Sequence, residues 1–284
     1  MKIGLFSTFM SPRADRTMLR DFAVQAESIG VHSIWMGEHV VLFDETEHPY
    51  PGAKDGKLPV PAGGGLLDTV ATFGFLAAVT EKIRFGTGIS LISQRNPLYT
   101  AKEFATLDWL SNGRVDFGVG VGWCKEEVIA SGYTWPDRGA RSNEFLELLK
   151  VLWTESPASF AGEHFNVASC HMDPKPVQNP HVPIIVGGHS KNALQRAARY
   201  GDGWYGFQLN AKATAPIVVQ LRALLEQEGR DPAQFKIVIT PTRNDQESID
   251  GFTALGVDEL VLHLGSQKPE AVETRLREVE ALIS

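Results

Sequence analysis

Short apolar runs rich in β-branched and aromatic residues recur along the chain, and between them apolar positions return at three- and four-residue spacing. That alternation is the sequence form of repeated βα units around a parallel sheet. Strands are predicted over 2–9, 33–39, 83–91, 115–122, 182–188, 203–208, 236–242 and 259–264. Helices are predicted over 17–29, 67–80, 98–110, 138–153, 191–200, 213–228, 246–255 and 269–282, and Gly30, Gly201, Gly229 and Gly256 stand where carboxyl-terminal caps belong. Eight strands alternating with eight helices over 284 residues predict an α/β protein, a (β/α)8 TIM barrel with an insertion after strand 4, forming one domain over 1–284.

Two connections exceed the length of a plain turn, and both follow strands, on the face where such barrels bind ligands. The first, 40–65, carries Glu45, Glu47, His48, Pro49, Pro51, Lys54 and Asp55, and reads as a lid, an oligomer contact or a solvated loop. The second, 123–181, holds a helix and then Phe160-Ala161-Gly162-Glu163-His164-Phe165, predicted to be a small hairpin.

Composition narrows the field. The chain is 43% hydrophobic and 21% charged, a globular balance, with 27 Lys and Arg against 34 Asp and Glu for a net charge of −7. A net negative chain gives no global attraction for nucleic acid or an anionic membrane. Cys124 and Cys170 are the only cysteines and form no CxxC pair, so neither a disulfide framework nor structural zinc is indicated. Residues 1–10 read as a strand rather than a signal segment, and no apolar run approaches the ~20 residues of a membrane helix. A cytoplasmic protein with a small-molecule substrate is the expectation.

Four strand ends carry candidate chemistry. Ser33-Ile34-Trp35-Met36-Gly37-Glu38-His39 is an apolar run that stops at an acid and an imidazole, and a His at the mouth of a barrel can move protons near neutral pH. Glu38 and His39 are therefore the catalytic candidates, with Glu38 tuning or orienting His39. Neighbours in a strand point to opposite sides, so both reach one pocket only if the chain bends.

The run from Gly113 to Trp123 is dense in glycine at a cost in packing, which predicts close approach either of a cofactor or of a neighbouring strand. No helix-opening GxGxxG follows it, so it is no dinucleotide fingerprint. Pro183 to Ser190 ends in Gly187-Gly188-His189-Ser190 ahead of an amphipathic helix: an anion site made of exposed amides and a hydroxyl, or a turn in which Ser190 only caps the helix. After Gly86-Thr87-Gly88-Ile89, Asn96 either caps the helix that Pro97 starts or bonds a planar heterocycle. The histidines show no HxH or HExxH spacing; Glu38, His39, His189 and His263 can meet at the mouth, but no metal is predicted.

Taken together, GVHSIWMGEH (30–39), SNGRVDFGVGVGW (111–123), FAGEHF (160–165), PKPVQNPHVPIIVGGHS (174–190) and AARYGDGW (197–204) resemble the bacterial luciferase-like superfamily of flavin- and deazaflavin-dependent oxidoreductases, over essentially the whole chain. The compact GVGVGW and VGGHS forms look like its F420-dependent branch. The resemblance implies a tricyclic cofactor at the carboxyl face, held by Thr87, Gly88, Ile89 and Asn96, by Gly120, Val121, Gly122 and Trp123, and by Gly187, Gly188, His189 and Ser190 at the phosphate. It implies a non-prolyl cis peptide at Gly88-Ile89 beneath the ring, and places His39 where many members carry a catalytic or substrate-contacting His.

The deazaflavin sugar-phosphate dehydrogenases have a glutamate where Trp123 stands, which argues against their acid and substrate here. The expected cofactor is coenzyme F420, with FMN the alternative; homodimers are common in the superfamily. The rival readings are an FMN-dependent monooxygenase, a barrel that only binds a flavin, and a metal-dependent isomerase or hydrolase.

Overall fold

The computed structural model describes residues 1–53, 55–60 and 63–283; Lys54 of the first long connection lies outside them. Its strands are β1 (Lys2–Phe6), β2 (Ser33–Met36), β3 (Arg84–Thr87), β4 (Ser90–Leu91), β5 (Val115–Gly120), β6 (Ala158–Ala161), β7 (Asn166–Cys170), β8 (Ile184–Gly187), β9 (Gly203–Leu209), β10 (Lys236–Pro241) and β11 (Glu259–His263). Its α-helices are α1 (Arg16–Ser28), α2 (Thr69–Ala77), α3 (Pro97–Ser111), α4 (Lys125–Ala130), α5 (Arg138–Thr154), α6 (Lys191–Tyr200), α7 (Ala211–Gln227), α8 (Gln246–Ala254) and α9 (Pro269–Ile283).

Parallel pairing runs β1-β2-β3-β5-β8-β9-β10-β11 and closes through β11 onto β1, giving the eight-stranded (β/α)8 barrel. The antiparallel hairpin β6-β7 follows β5 and α5, as the FAGEHF segment predicts. The expected strand 83–91 is broken: β3 ends at Thr87, Gly88-Ile89 is a non-prolyl cis peptide as the resemblance implies, and β4 pairs only with β5. The long insertion also holds the short helix α4, which the sequence pattern does not predict. Gly30, Gly229 and Gly256 take φ of 87°, 68° and 75°, but Gly201 is at −87°, so it ends α6 without a left-handed turn.

The barrel strands are largely buried, covered outside by helices and inside by their own side chains. Ile34 and Met36 of β2 join the helix-facing core, while Trp35 points inward with Phe6, Ile185, Tyr205, Val238 and Val261. Trp35 stacks on Tyr205 across the barrel at 5.1 Å, which fills the middle of the lumen. Below that layer, at the amino ends, lies a charged clasp. Lys236 Nζ stands 2.8 Å from Glu259 and 3.6 Å from Asp116, Arg84 donates to Asp116 at 2.8 Å, and Ser33 bonds Glu259. Above the layer, the carboxyl ends are free to build a site.

Candidate active site

His39 lies just past the end of β2, where the chain bends. Its Nδ1 is 2.7 Å from Glu127 Oε2, and its Nε2 accepts from the Trp123 indole N–H at 3.3 Å. The Glu127 side chain is fully buried and that of His39 is 9% exposed. Burial alone would raise the Glu127 carboxyl, but its hydrogen bond and electrostatic interaction with His39, with the Val40 amide, hold it below the ordinary value. The other oxygen of Glu127 accepts from the amides of Val40 at 2.6 Å and Val41 at 3.4 Å. Glu127 escaped the sequence reading, yet Cys124, Glu127 and Val128 are the buried residues of this stretch and fall at i, i+3 and i+4, the spacing of a helix's inner face.

Glu38, expected to orient His39, does something else. Its carboxylate accepts from Ser90 Oγ at 3.1 Å, from the Leu91 amide at 3.2 Å, and from Arg95 Nε at 3.0 and 3.1 Å, while Arg95 also reaches Glu103 at 2.9 Å. Desolvation opposes charge on Arg95, but Glu38 and Glu103 hold it protonated more firmly than usual. Glu38 and His39 point apart, as strand geometry requires, and Glu38 fastens β4 and the approach to α3.

The glycines of β5 are explained largely by the chain itself. A Cβ at Gly118 would stand 1.7 Å from the Thr87 carbonyl oxygen, and one at Gly120 would stand 1.9 Å from Ile89 Cδ1. Ile89 also lies against Gly187, where a Cβ would come within 2.9 Å of its Cγ2. The Thr87 hydroxyl is buried and donates to Gly118 O at 2.6 Å, and the Val121 carbonyl accepts from Ser93 at 2.6 Å. Gly122 has φ of 77°, which turns the chain so that Trp123 reaches His39. Gly88, Ile89, Val121, Gly122 and Trp123 are all only partly buried.

At the end of β8, Gly188, His189 and Ser190 are exposed ahead of α6. Ser190 Oγ accepts from the Ala193 amide at 3.2 Å, Gly188 O accepts from Trp204 at 2.8 Å, and His189 Nε2 accepts from the Phe207 amide at 3.2 Å. Although the residue is exposed, partial desolvation of its ring, which lies against Trp204, pushes the His189 imidazole toward its neutral form. Phe6, Phe207 and His263 form a rim with centroids 5.3 to 5.6 Å apart. Asn96 Oδ1 caps α3, accepting from Leu98 at 3.0 Å and Tyr99 at 3.3 Å. Of the aromatics at or near these strand ends, Trp35, Trp204 and Tyr205 are buried core, and Trp123 and Phe207 are half-buried.

The first long connection folds against α4. Glu47 N–H donates to Glu126 at 2.8 Å, Lys125 bonds Glu47, Tyr50 packs on Trp123 at 5.5 Å and His48 stacks on Trp135 at 5.5 Å. Between these anchors Val40, Val41, Leu42 and Phe43 are exposed.

Among the curated relatives, the chain is 33% identical over 238 residues to an uncharacterised protein of Mycobacterium tuberculosis, covering 83% of each chain. It is 33% identical over 226 residues to an F420-dependent glucose-6-phosphate dehydrogenase of Kineococcus radiotolerans, covering 76% of this chain and 60% of that one. An F420-dependent secondary alcohol dehydrogenase, solved with an F420-acetone adduct, superposes with a TM-score of 0.79 at 19% identity over 99% of this chain and 97% of the other. The family model described as luciferase-like monooxygenase matches residues 1–243, and the chain belongs to that family.

Proposed function

We propose that the protein is an F420-dependent oxidoreductase acting on a small organic substrate, with His39 carrying the proton that accompanies hydride transfer. The observation that carries this reading is His39 itself, a largely buried imidazole at the mouth of the barrel, fixed by Glu127 and Trp123. The F420-dependent relatives support the choice of cofactor.

The strand ends fit a flat tricyclic group. Gly88-Ile89, the Val121–Trp123 turn and Phe207 leave partly open apolar surface around the lumen, and Gly188 to Ser190 lead into the N-terminus of α6. In this reading Ile89 supports the ring, Val121, Gly122 and Trp123 bound it, and the backbone from Gly187 through Ser190 receives the phosphate. The deazaflavin, when bound, supplies hydride chemistry at C5; the protein supplies orientation and a proton path. The Thr87 hydroxyl is committed to Gly118 and Asn96 Oδ1 to the α3 cap, so a ligand would be served by their backbone and by the exposed Asn96 NH2 group.

Titration of the purified protein with F420 and with FMN, each oxidised and reduced, tests the cofactor, and a panel of small alcohols and ketones followed by F420 absorbance tests the chemistry. His39→Asn should lower turnover by ~100- to 10,000-fold, while the Kd for F420 stays within about twofold. Unchanged turnover would remove His39 from the mechanism. The family's monooxygenase description favours a second reading, an FMN-dependent monooxygenase, and tight binding of FMN with none of F420 would select it.

A further inference from the structure

His39 stands between two groups that each leave it a single option. An ionised carboxylate has no proton to give, and Glu127 is held in its ionised form, so Nδ1 must carry the hydrogen in the 2.7 Å contact. An indole N–H has no lone pair to offer, so Nε2 must accept from Trp123. One neutral tautomer satisfies both, Nδ1–H with Nε2 bare, and its mirror would set two N–H groups against each other at Trp123 while leaving the buried carboxylate without its imidazole donor. Among the described residues no other charged side chain is bonded to the ring: Glu38 on the same segment is turned to Arg95, and Tyr50 meets Trp123 on the loop side.

We infer that Glu127 is a positioning residue that fixes His39 in the Nδ1–H tautomer, so that Nε2 keeps the lone pair, shared with the Trp123 indole N–H, and exchanges protons at the mouth once that indole turns aside. Only the kinetic consequence rests on the hydride-transfer reading above. The same carboxylate ties the tautomer to the start of the 40–50 loop, because its second oxygen holds the Val40 and Val41 amides. Glu127 thereby sets ring orientation and loop position with one side chain.

The consequence for Glu127→Gln is specific. A carboxamide has one oxygen, and the Val40 N–H, its shortest contact at 2.6 Å, claims it. The NH2 group then faces His39 Nδ1 and can only donate, which drives the ring proton to Nε2 and against the Trp123 indole. Glu127→Gln should therefore invert the tautomer rather than merely loosen it, and adding Trp123→Phe should stabilise the inverted form by removing the opposing donor.

Long-range proton–nitrogen NMR of the full chain near pH 9, well above the ordinary imidazole value of about 6.5, reads the tautomer directly, with His39→Asn assigning the signal. The expected pattern is Nδ1–H in the wild type, Nε2–H in Glu127→Gln, and Nδ1–H again in Glu127→Asp, which keeps an ionised acceptor and guards against a Gln variant that fails to fold. Nε2–H in the wild type, or an unchanged tautomer in a folded Glu127→Gln, would overturn the inference. With any alcohol or ketone the wild type turns over, kcat should fall at least about 10-fold in Glu127→Gln with KM little changed, and recover in Glu127→Asp. Absence of F420 turnover in the wild type would defeat the functional reading while leaving the NMR result to decide the tautomer.

Discussion

At Gly118 the chain has no room for one more carbon, because the neighbour is the backbone carbonyl of Thr87 and cannot turn aside. At Gly120 the neighbour is the tip of Ile89, which can be shortened. Gly118→Ala should thus cost about 3 kcal/mol or more, or prevent folding, whereas Gly120→Ala should cost ~1–3 kcal/mol and regain most of it when combined with Ile89→Val. Urea unfolding of the three variants checks the contrast. A glycine-rich strand signals close approach, and the sequence shows that much; whether a ligand or the chain approaches depends on where Thr87 and Ile89 sit, some thirty residues earlier, and no local pattern encodes it. The divergence of Glu38 from His39 was foreseeable from strand alternation, but the partner of each was not. Arg95 and Glu127 reach them from other elements.

Helix α3 shows how an element's own needs absorb a candidate residue. Asn96 satisfies two first-turn amides, Pro97 opens the helix where a missing N–H costs nothing, and Asn112 closes it at φ of 56°. Asn96→Ala should reduce stability by about 1 kcal/mol and leave F420 affinity unaltered; a large loss of affinity with little loss of stability would return Asn96 to the cofactor site. The strands and most helices were legible because their periodicity is strong and turn residues bound them. Helix α4 was not, for at six residues it is too short to show a period, and its identity as the anchor of the 40–50 loop depends on contacts with Glu47, Val40 and Val41.

Across the whole molecule, charge is distributed by height in the barrel. Arg84, Asp116, Lys236 and Glu259 stand at or near the starts of their strands, and the lumen above them is aromatic. Burial would raise Asp116, but Lys236 and Arg84 outweigh it and hold its carboxyl low, while burial opposes and the two acids restore a raised Lys236. A depressed acid contributes stability above its unfolded value, lost as pH falls through the folded one; a raised base contributes below its unfolded value, lost as pH rises through the folded one. His32, His189 and His263 are pushed toward neutrality by burial, so each also loses stability as pH falls. Stability should therefore begin to decline below about pH 6.5, steepen below about pH 4 and fail again above about pH 10, as denaturant midpoints across pH would show. Lys236→Met should cost ~3–5 kcal/mol by stranding the buried Glu259 carboxylate, while Asp116 keeps Arg84. The clasp occupies the opposite end of the strands from His39, and the 40–50 loop is tied to α4 partly through main-chain amides that every residue type except proline provides. The clasp and the exposed stretch thus carry separate duties: Val40 through Phe43 can be randomised in a library, with melting midpoints expected to stay near the parent's, so this corner of the mouth is free to change its side chains without having to relearn how to fold.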